Sequence, residues 1–346
     1  MMPGTAGRGP AGTRGGGAAG GDGPATIHEL APERRLRRLE LTITRRLDGL
    51  LHGQYLGLLP GSGSELAGSR EYRPGEDEVR RMDWAVTART AVPHVRQVDA
   101  DRELSTWLLV DGTPSMDFGT ADLEKRELAV AAVAAVGFLT AGIGNRLGAH
   151  VVTQEAVRRF PARGGRNHLL AVLRLLLAAP RLDGAGPAPA LAAAIDGLHR
   201  STARRGLMVV VSDFLDGLPD DDIGEPAWET PLRRLDARHQ VLAVEITDPR
   251  ELELPDVGLI TLVDPESGQR REVSTGDRRL RERYAAAATR QRQLVRRALR
   301  RSGATHLALR TDRDWVADLV RHVQAQRRLA GTPRGRTPGS DPGGAA

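Results

Sequence analysis

Two uninterrupted apolar runs, Trp107-Leu108-Leu109-Val110 and Leu207-Met208-Val209-Val210-Val211, do most to limit what this chain can fold into. Continuous rather than alternating hydrophobicity marks strands covered on both faces, and such strands belong to parallel sheets sandwiched between helices. Further strands are read at residues 147–152, 241–246 and 307–309. Helical spacing fills the gaps between them, over residues 123–141, 167–179, 191–199, 228–238, 278–301 and 314–327. This alternation predicts an α/β fold: a doubly wound, mostly parallel sheet flanked by helices. Two short apolar stretches, 259–263 and 271–273, flank a Pro-Glu-Ser-Gly turn and predict a small β-hairpin insertion.

The ends read differently. Residues 1–26 hold 10 Gly and 3 Pro with almost no large apolar side chain, too little buried surface to offset the entropy of ordering. Residues 1–26 and 330–346 are therefore expected to be disordered tails. Between them, residues 27–102 form an N-terminal helical and loop extension. Leu36, Leu39, Ile43, Leu47 and Leu50 recur at helical spacing there, ahead of a Gly-rich, charged stretch expected to pack on the main domain, residues 103–329.

Composition removes several chemistries. With no Cys, the chain has no disulfides, thiolate zinc sites or cysteine nucleophile. No run approaches the ~18 apolar residues of a membrane span, and no signal peptide is readable, so a cytoplasmic protein is the expectation. The net charge is only +6, although Lys and Arg together number 50. One of the 50 is Lys, Lys125; the rest are Arg, which keeps its proton and raises the isoelectric point without much net charge.

Three buried strands lead into carboxylates: Asp111, Asp213 and Asp248. In a parallel sheet all strands end on one edge, where ligands of open α/β sheets bind. Asp111 opens the sequence Asp111-Gly112-Thr113-Pro114-Ser115-Met116, which supplies a carboxylate and two hydroxyls from one tight loop. Such hard oxygens suit Mg²⁺, with Asp213 as a fourth ligand from the neighbouring strand. The same residue types also make ordinary turns and helix caps, and from spacing alone both readings stand. Pro249 after Asp248 favours a turn or helix start there.

The Asp-x-Thr-x-Ser-Met pattern resembles the metal-ion-dependent adhesion motif of von Willebrand factor type A domains. Upstream, Arg70-Glu71-Tyr72-Arg73-Pro74-Gly75-Glu76-Asp77 leads into Arg80-Arg81-Met82-Asp83-Trp84 and on to Arg89. That block, with Ser212-Asp213-Phe214-Leu215 and Thr247-Asp248-Pro249-Arg250-Glu251-Leu252, resembles the bacterial family catalogued as domain of unknown function 58, over roughly residues 45–325. The resemblance implies a von Willebrand factor type A-like domain; with no His-Glu-x-x-His, Gly-x-Ser-x-Gly or P-loop motif in the chain, a non-enzymatic protein-interaction module is the expectation. The resemblance further implies an adaptor or cofactor of a MoxR-type AAA+ ATPase in protein assembly or maturation, with that ATPase or its client as partner. It also implies a metal site at Asp111, Thr113, Ser115 and Asp213. Pro189 stands where such domains carry a third-loop Thr, so the Mg²⁺ site is degenerate. The signature residues Arg70, Tyr72, Gly75, Asp77, Arg80, Arg81, Asp83, Trp84 and Arg89 are read as either a docking surface or a structural brace.

Two alternatives are weaker. A Mg²⁺-dependent hydrolase built on Asp111 and Asp213 lacks an accompanying general base or phosphate cradle. A nucleic-acid-binding protein would use the Arg-rich helix at 278–301, but its cations spread around the helix and only Tyr284 is aromatic.

Overall fold

The computed structural model describes residues 37–39, 41–43, 45–46, 67–73, 79, 82–97, 105–120, 123–140, 145–178, 188–219, 221, 224–263 and 269–331. The 1–26 tail and residues 332–346 of the second tail lie outside this set. The last helix extends to Gly331, so residues 330 and 331, expected in the tail, close a helix instead.

Among the described residues, after the N-terminal helical segment at 37–46, ten strands and seven further helices follow in order. β1 (Ala67–Glu71), α1 (Trp84–Thr90) and β2 (His94–Gln97) form a small unit in which β1 and β2 pair antiparallel. The main domain runs β3 (Ser105–Asp111), α2 (Lys125–Thr140), β4 (Arg146–Val152), β5 (Val157–Gly164), α3 (Arg166–Ala178), α4 (Leu191–Ser201) and β6 (Leu207–Ser212). It continues α5 (Glu229–Arg238), β7 (Gln240–Thr247), the hairpin β8 (Leu259–Val263) and β9 (Arg270–Ser274), α6 (Arg278–Ser302), β10 (Thr305–Arg310) and α7 (Trp315–Gly331).

The main sheet has six strands in the order β10-β7-β6-β3-β4-β5. Every neighbouring pair is parallel except β4 and β5. The α/β, doubly wound, mostly parallel arrangement expected from the apolar runs is what the chain adopts. β5 has no counterpart in the sequence reading. Its residues, Val-Arg-Arg-Phe-Pro-Ala-Arg-Gly, are mostly exposed and form the edge of the sheet, where no continuous apolar run is required.

Both faces of the sheet are covered. On one side Leu108, Val110, Val209, Val211, Leu242, Val244 and Ile246 meet α2, α3 and α7. On the other, Leu109, Met208, Val210, Val241 and Ala243 meet α4, α5 and α6. α2 is buried almost all round because its sequence is mostly Ala and Val, small enough for the sheet and α3 to approach together. At Gly137 an added Cβ would lie 2.4 Å from Leu169 Cδ1, which is how closely α3 comes. The N-terminal helical segment docks by Ile43, fully buried in the first of these layers. A two-pronged pair from Arg46 to Asp314 (2.9 and 2.5 Å) ties it to the start of α7.

The strand order positions the site. After β3 the chain moves to β4 and β5; after β6 it moves the opposite way, to β7 and β10. The crevice between the C-terminal ends of β3 and β6 is therefore the topological switch point of the sheet.

Candidate functional site

Val110 on β3 pairs with Val211 on β6, so Asp111 and Ser212 emerge level with each other at the switch point. The two aspartates expected to converge do so, 102 positions apart in sequence. Ser212 Oγ donates to Asp111 Oδ2 (2.6 Å), and Thr113 donates to Asp111 Oδ1 through its amide (3.0 Å) and its hydroxyl (2.7 Å). Thr113 and Ser115 hydroxyls lie 3.1 Å apart. The loop is drawn tight by Gly112, whose N–H bonds Val152 O (2.9 Å); a Cβ at that position would stand 2.7 Å from the same oxygen. Pro114 and Ser115 continue into a 3-10 turn, Pro114–Asp117, that buries Met116 beneath the loop.

Asp213 follows β6 and is 1% exposed. Its Oδ1 accepts the Leu215 amide (3.1 Å) and its Oδ2 accepts the ammonium of Lys125 (2.8 Å). Lys125, the first residue of α2 and fully buried, also bonds Glu251. On the far side Arg292 of α6 reaches in. It donates to the Asp213 carbonyl (3.0 Å), Glu245 Oε1 (3.3 Å) and Glu251 Oε2 (2.8 Å), and Glu245 is held in turn by His306 (2.8 Å). The backbone is strained here: Phe214 sits at φ 57°, a left-handed conformation unusual for a bulky residue, and is locked by its fully buried ring against Trp228 (5.1 Å, edge-on).

The electrostatics follow from these contacts. Burial, and then the charge of Asp213, push the Asp111 carboxyl above the usual range, against the hydrogen bonds from Ser212 and Thr113. Burial would also raise Asp213, but the Lys125 ammonium outweighs it and holds Asp213 low. Burial would lower Lys125; Asp213 and Glu251 outweigh it and keep the ammonium protonated.

As a cation cage the four expected ligands are incomplete. Asp111, Thr113 and Ser115 cluster, but both oxygens of Asp213 are engaged by protein donors, one of them a cation. Among the described residues no cluster of three or more His, Asp or Glu is arranged to hold a metal ion. Pro189, read from the sequence as standing where a third-loop Thr would be expected, precedes α4. The free N–H of Leu191 at that helix start is satisfied by Asp216 (2.6 Å) from the loop after β6. The residues thus fit a divalent ion poorly.

Asp248 is fully buried and caps the 3-10 turn Pro249–Glu251. It accepts from Thr120 (amide 3.0 Å, hydroxyl 2.6 Å), Thr311 (2.7 Å) and the Arg250 amide (2.9 Å). Those bonds outweigh burial and hold its carboxyl low. The turn it caps delivers Glu251 to Lys125. Lys125, Glu251, Glu245 and Arg292 were not singled out as site residues in the sequence; the available signal was the solitary Lys at the start of an Ala-rich helix.

Of the signature residues, Gly75, Asp77, Arg80 and Arg81 lie outside the described residues, as does the side chain of Arg70. Asp83 caps α1 by accepting from Ala85 N and Val86 N (3.2 Å each). Tyr72 is half-buried, and its amide bonds Pro93 O (2.8 Å). Arg89 bonds Ala85 O (3.3 Å), and Trp84 is 66% exposed. None of these is brought to the Asp111 crevice by a hydrogen bond or ion pair among the described contacts.

Two surface features border the crevice. The loop after β3 carries half-buried Thr113 and Ser115 and ends at Phe118, 39% exposed. Between the loop after β6 and α6 lies a cleft of about 360 Å³, lined by Leu218, Glu251, Tyr284, Gln291 and Leu294 among others.

The chain is similar to known proteins at two levels. An uncharacterized protein of Mycobacterium tuberculosis, Rv1480, is 55% identical over 295 residues, covering 85% of this chain and 90% of that protein. An uncharacterized Mycobacterium avium protein, MAV169, is 47% identical over 172 residues, 50% of this chain and 96% of that one. Among solved structures, a conserved hypothetical protein, BatB, from Bacteroides thetaiotaomicron aligns with TM-score 0.42 at 15% identity, covering 66% of this chain and all of that one. The SpRpn10 VWA domain aligns with TM-score 0.34 at 12% identity, covering 63% of this chain and 94% of that one. The family described as "Protein of unknown function DUF58" matches residues 68–294, most of the described chain, and the protein belongs to that family.

Proposed function

We propose that this protein is a non-enzymatic interaction module that docks a partner on the C-terminal edge of its sheet. The observation that carries this reading is the accessible rim of the sheet's C-terminal edge: half-buried Thr113 and Ser115 and exposed Phe118 on the loop after β3, and, between the loop after β6 and α6, a cleft of about 360 Å³ that includes Glu251 of the buried ion network. An exposed aromatic such as Phe118 offers apolar contact area, and a concave cleft nearby offers a place for a partner's side chain. The buried carboxylates support a binding role rather than catalysis. Each of the four carboxylate oxygens of Asp111 and Asp213 already accepts from a protein donor, Ser212 and Thr113 for the first and Lys125 and Leu215 for the second.

The partner proposed is a cytoplasmic AAA+ ATPase of the MoxR type, or its client, the setting the family likeness implies. The experiment is quantitative binding of a purified MoxR-type ATPase from the same organism, with Mg²⁺ and with EDTA. Ser115→Ala and Phe118→Ala are each expected to weaken capture by about tenfold, the scale of one lost hot-spot contact. Equal binding by the wild type and both variants would place the interface elsewhere. Capture that persists in EDTA assigns docking to protein groups; capture lost in EDTA and on Asp111→Ala assigns it to a Mg²⁺ bridge.

A further inference from the structure

The chain has 50 cationic side chains and uses Lys once. That Lys is fully buried between the two carboxylates that a metal site at this edge would need or border: Asp213 at 2.8 Å, and Glu251. Everywhere else the positive charge is Arg, a wide planar fork. Lys125 is a compact point charge on a flexible stem, the side chain closest in shape and charge to a bound cation.

We infer that the Lys125 ammonium is the resident cation of this crevice, replacing a divalent ion covalently and making the site independent of metal. Four features of the contacts agree. Lys125 begins α2, the helix that follows the hydroxyl loop ten positions after Ser115, so its ammonium reaches Asp213 from the chain itself. Asp213 directs one oxygen to the ammonium and the other to Leu215 N. Asp111 directs its oxygens to Ser212 and Thr113 rather than outward. Arg292 closes the network from behind through Glu251 and the Asp213 carbonyl. A second cation brought beside Asp111 would have to displace these donors and face the ammonium across Asp213. The inference concerns the same edge as the docking proposal but does not rest on it, since it is tested on the isolated protein.

The test titrates the full chain with Mn²⁺, read by the electron paramagnetic resonance signal of free ion, and follows its melting temperature in Mg²⁺ and in EDTA. The wild type is expected to bind no Mn²⁺ at a specific site and to melt identically in both buffers. A saturable Mn²⁺ site in the wild type that disappears in Asp111→Asn overturns the inference. Lys125→Ala removes the charge and opens space for an ion. It is expected to gain a saturable Mn²⁺ site that the wild type lacks and a melting temperature that rises with Mn²⁺. A folded Lys125→Ala protein indifferent to Mn²⁺ overturns the idea that the ammonium stands in for a metal. If that variant does not fold, Lys125→Gln is titrated the same way, and the wild-type titration decides in every case.

Discussion

At the scale of single residues, the crevice shows how a buried charge is made tolerable. Lys125 is retained in a fully buried position because two carboxylates surround it, and Arg292 in turn neutralises the excess negative charge that Glu245 and Glu251 introduce. Removing one member of such a network leaves the others charged and unpaired, which costs far more than the intact pair contributes. Lys125→Met, similar in length and without charge, is expected to destabilise the protein by about 3–5 kcal/mol, seen as a lower urea midpoint with an unchanged slope. Phe214 poses a different problem. Its left-handed backbone would suit Gly, yet its ring is fully buried against Trp228. Truncation to Ala keeps the strain and loses the packing, so Phe214→Ala is expected to cost about 3–5 kcal/mol in the same assay. The sequence showed Asp111, Thr113, Ser115 and Asp213 because they sit at the ends of recognisable strands. It could not show Lys125 joined to Asp213 and Glu251, 88 and 126 positions away, because ion pairing across a fold leaves no local pattern.

At the scale of elements, the loops around the sheet's C-terminal edge cap one another's neighbours. Asp216, on the loop after β6, satisfies the Leu191 amide at the start of α4, where Ala190 offers no side-chain acceptor. Asp216→Ala is therefore expected to lose about 1 kcal/mol and to speed amide exchange in the first turn of α4 while leaving the distant α7 unchanged. Asp248 was readable as a turn former from Pro249. Its further bonds to Thr120 and Thr311, which stitch the loop after β3 to the end of β10, were not. The helices and the inner strands were legible because each buries a periodic or continuous apolar set. β1, β2 and α1 were hidden in a Gly-rich, charged stretch whose pairing depends on backbone hydrogen bonds more than on apolar pattern.

At the scale of the whole molecule, two buried histidines set an acid limit. His150, packed edge-on against Trp107, is held to about 4 by burial and then by Arg159. His239, with no hydrogen-bond partner for either ring nitrogen, is held to about 4 by burial and then by Arg238, His199 and Arg205. The unfolded chain accepts these protons near the ordinary pH 6.5, the folded chain only near 4. Their contribution is thus complete above pH 6.5 and is lost as pH falls from 6.5 toward 4. The loss is at most about 3.4 kcal/mol per histidine. Unfolding free energies measured across that window are expected to fall with acid in the wild type and to fall less in His239→Leu. An equal acid slope in the two proteins would remove His239 from the account.

The outer strand β5 carries Arg158, Arg159 and Arg163 on exposed positions and Pro161 near its middle. A neighbouring molecule trying to extend the sheet there would meet like charge and a missing amide donor. Growth of the ribbon from one copy into the next is therefore disfavoured on that flank.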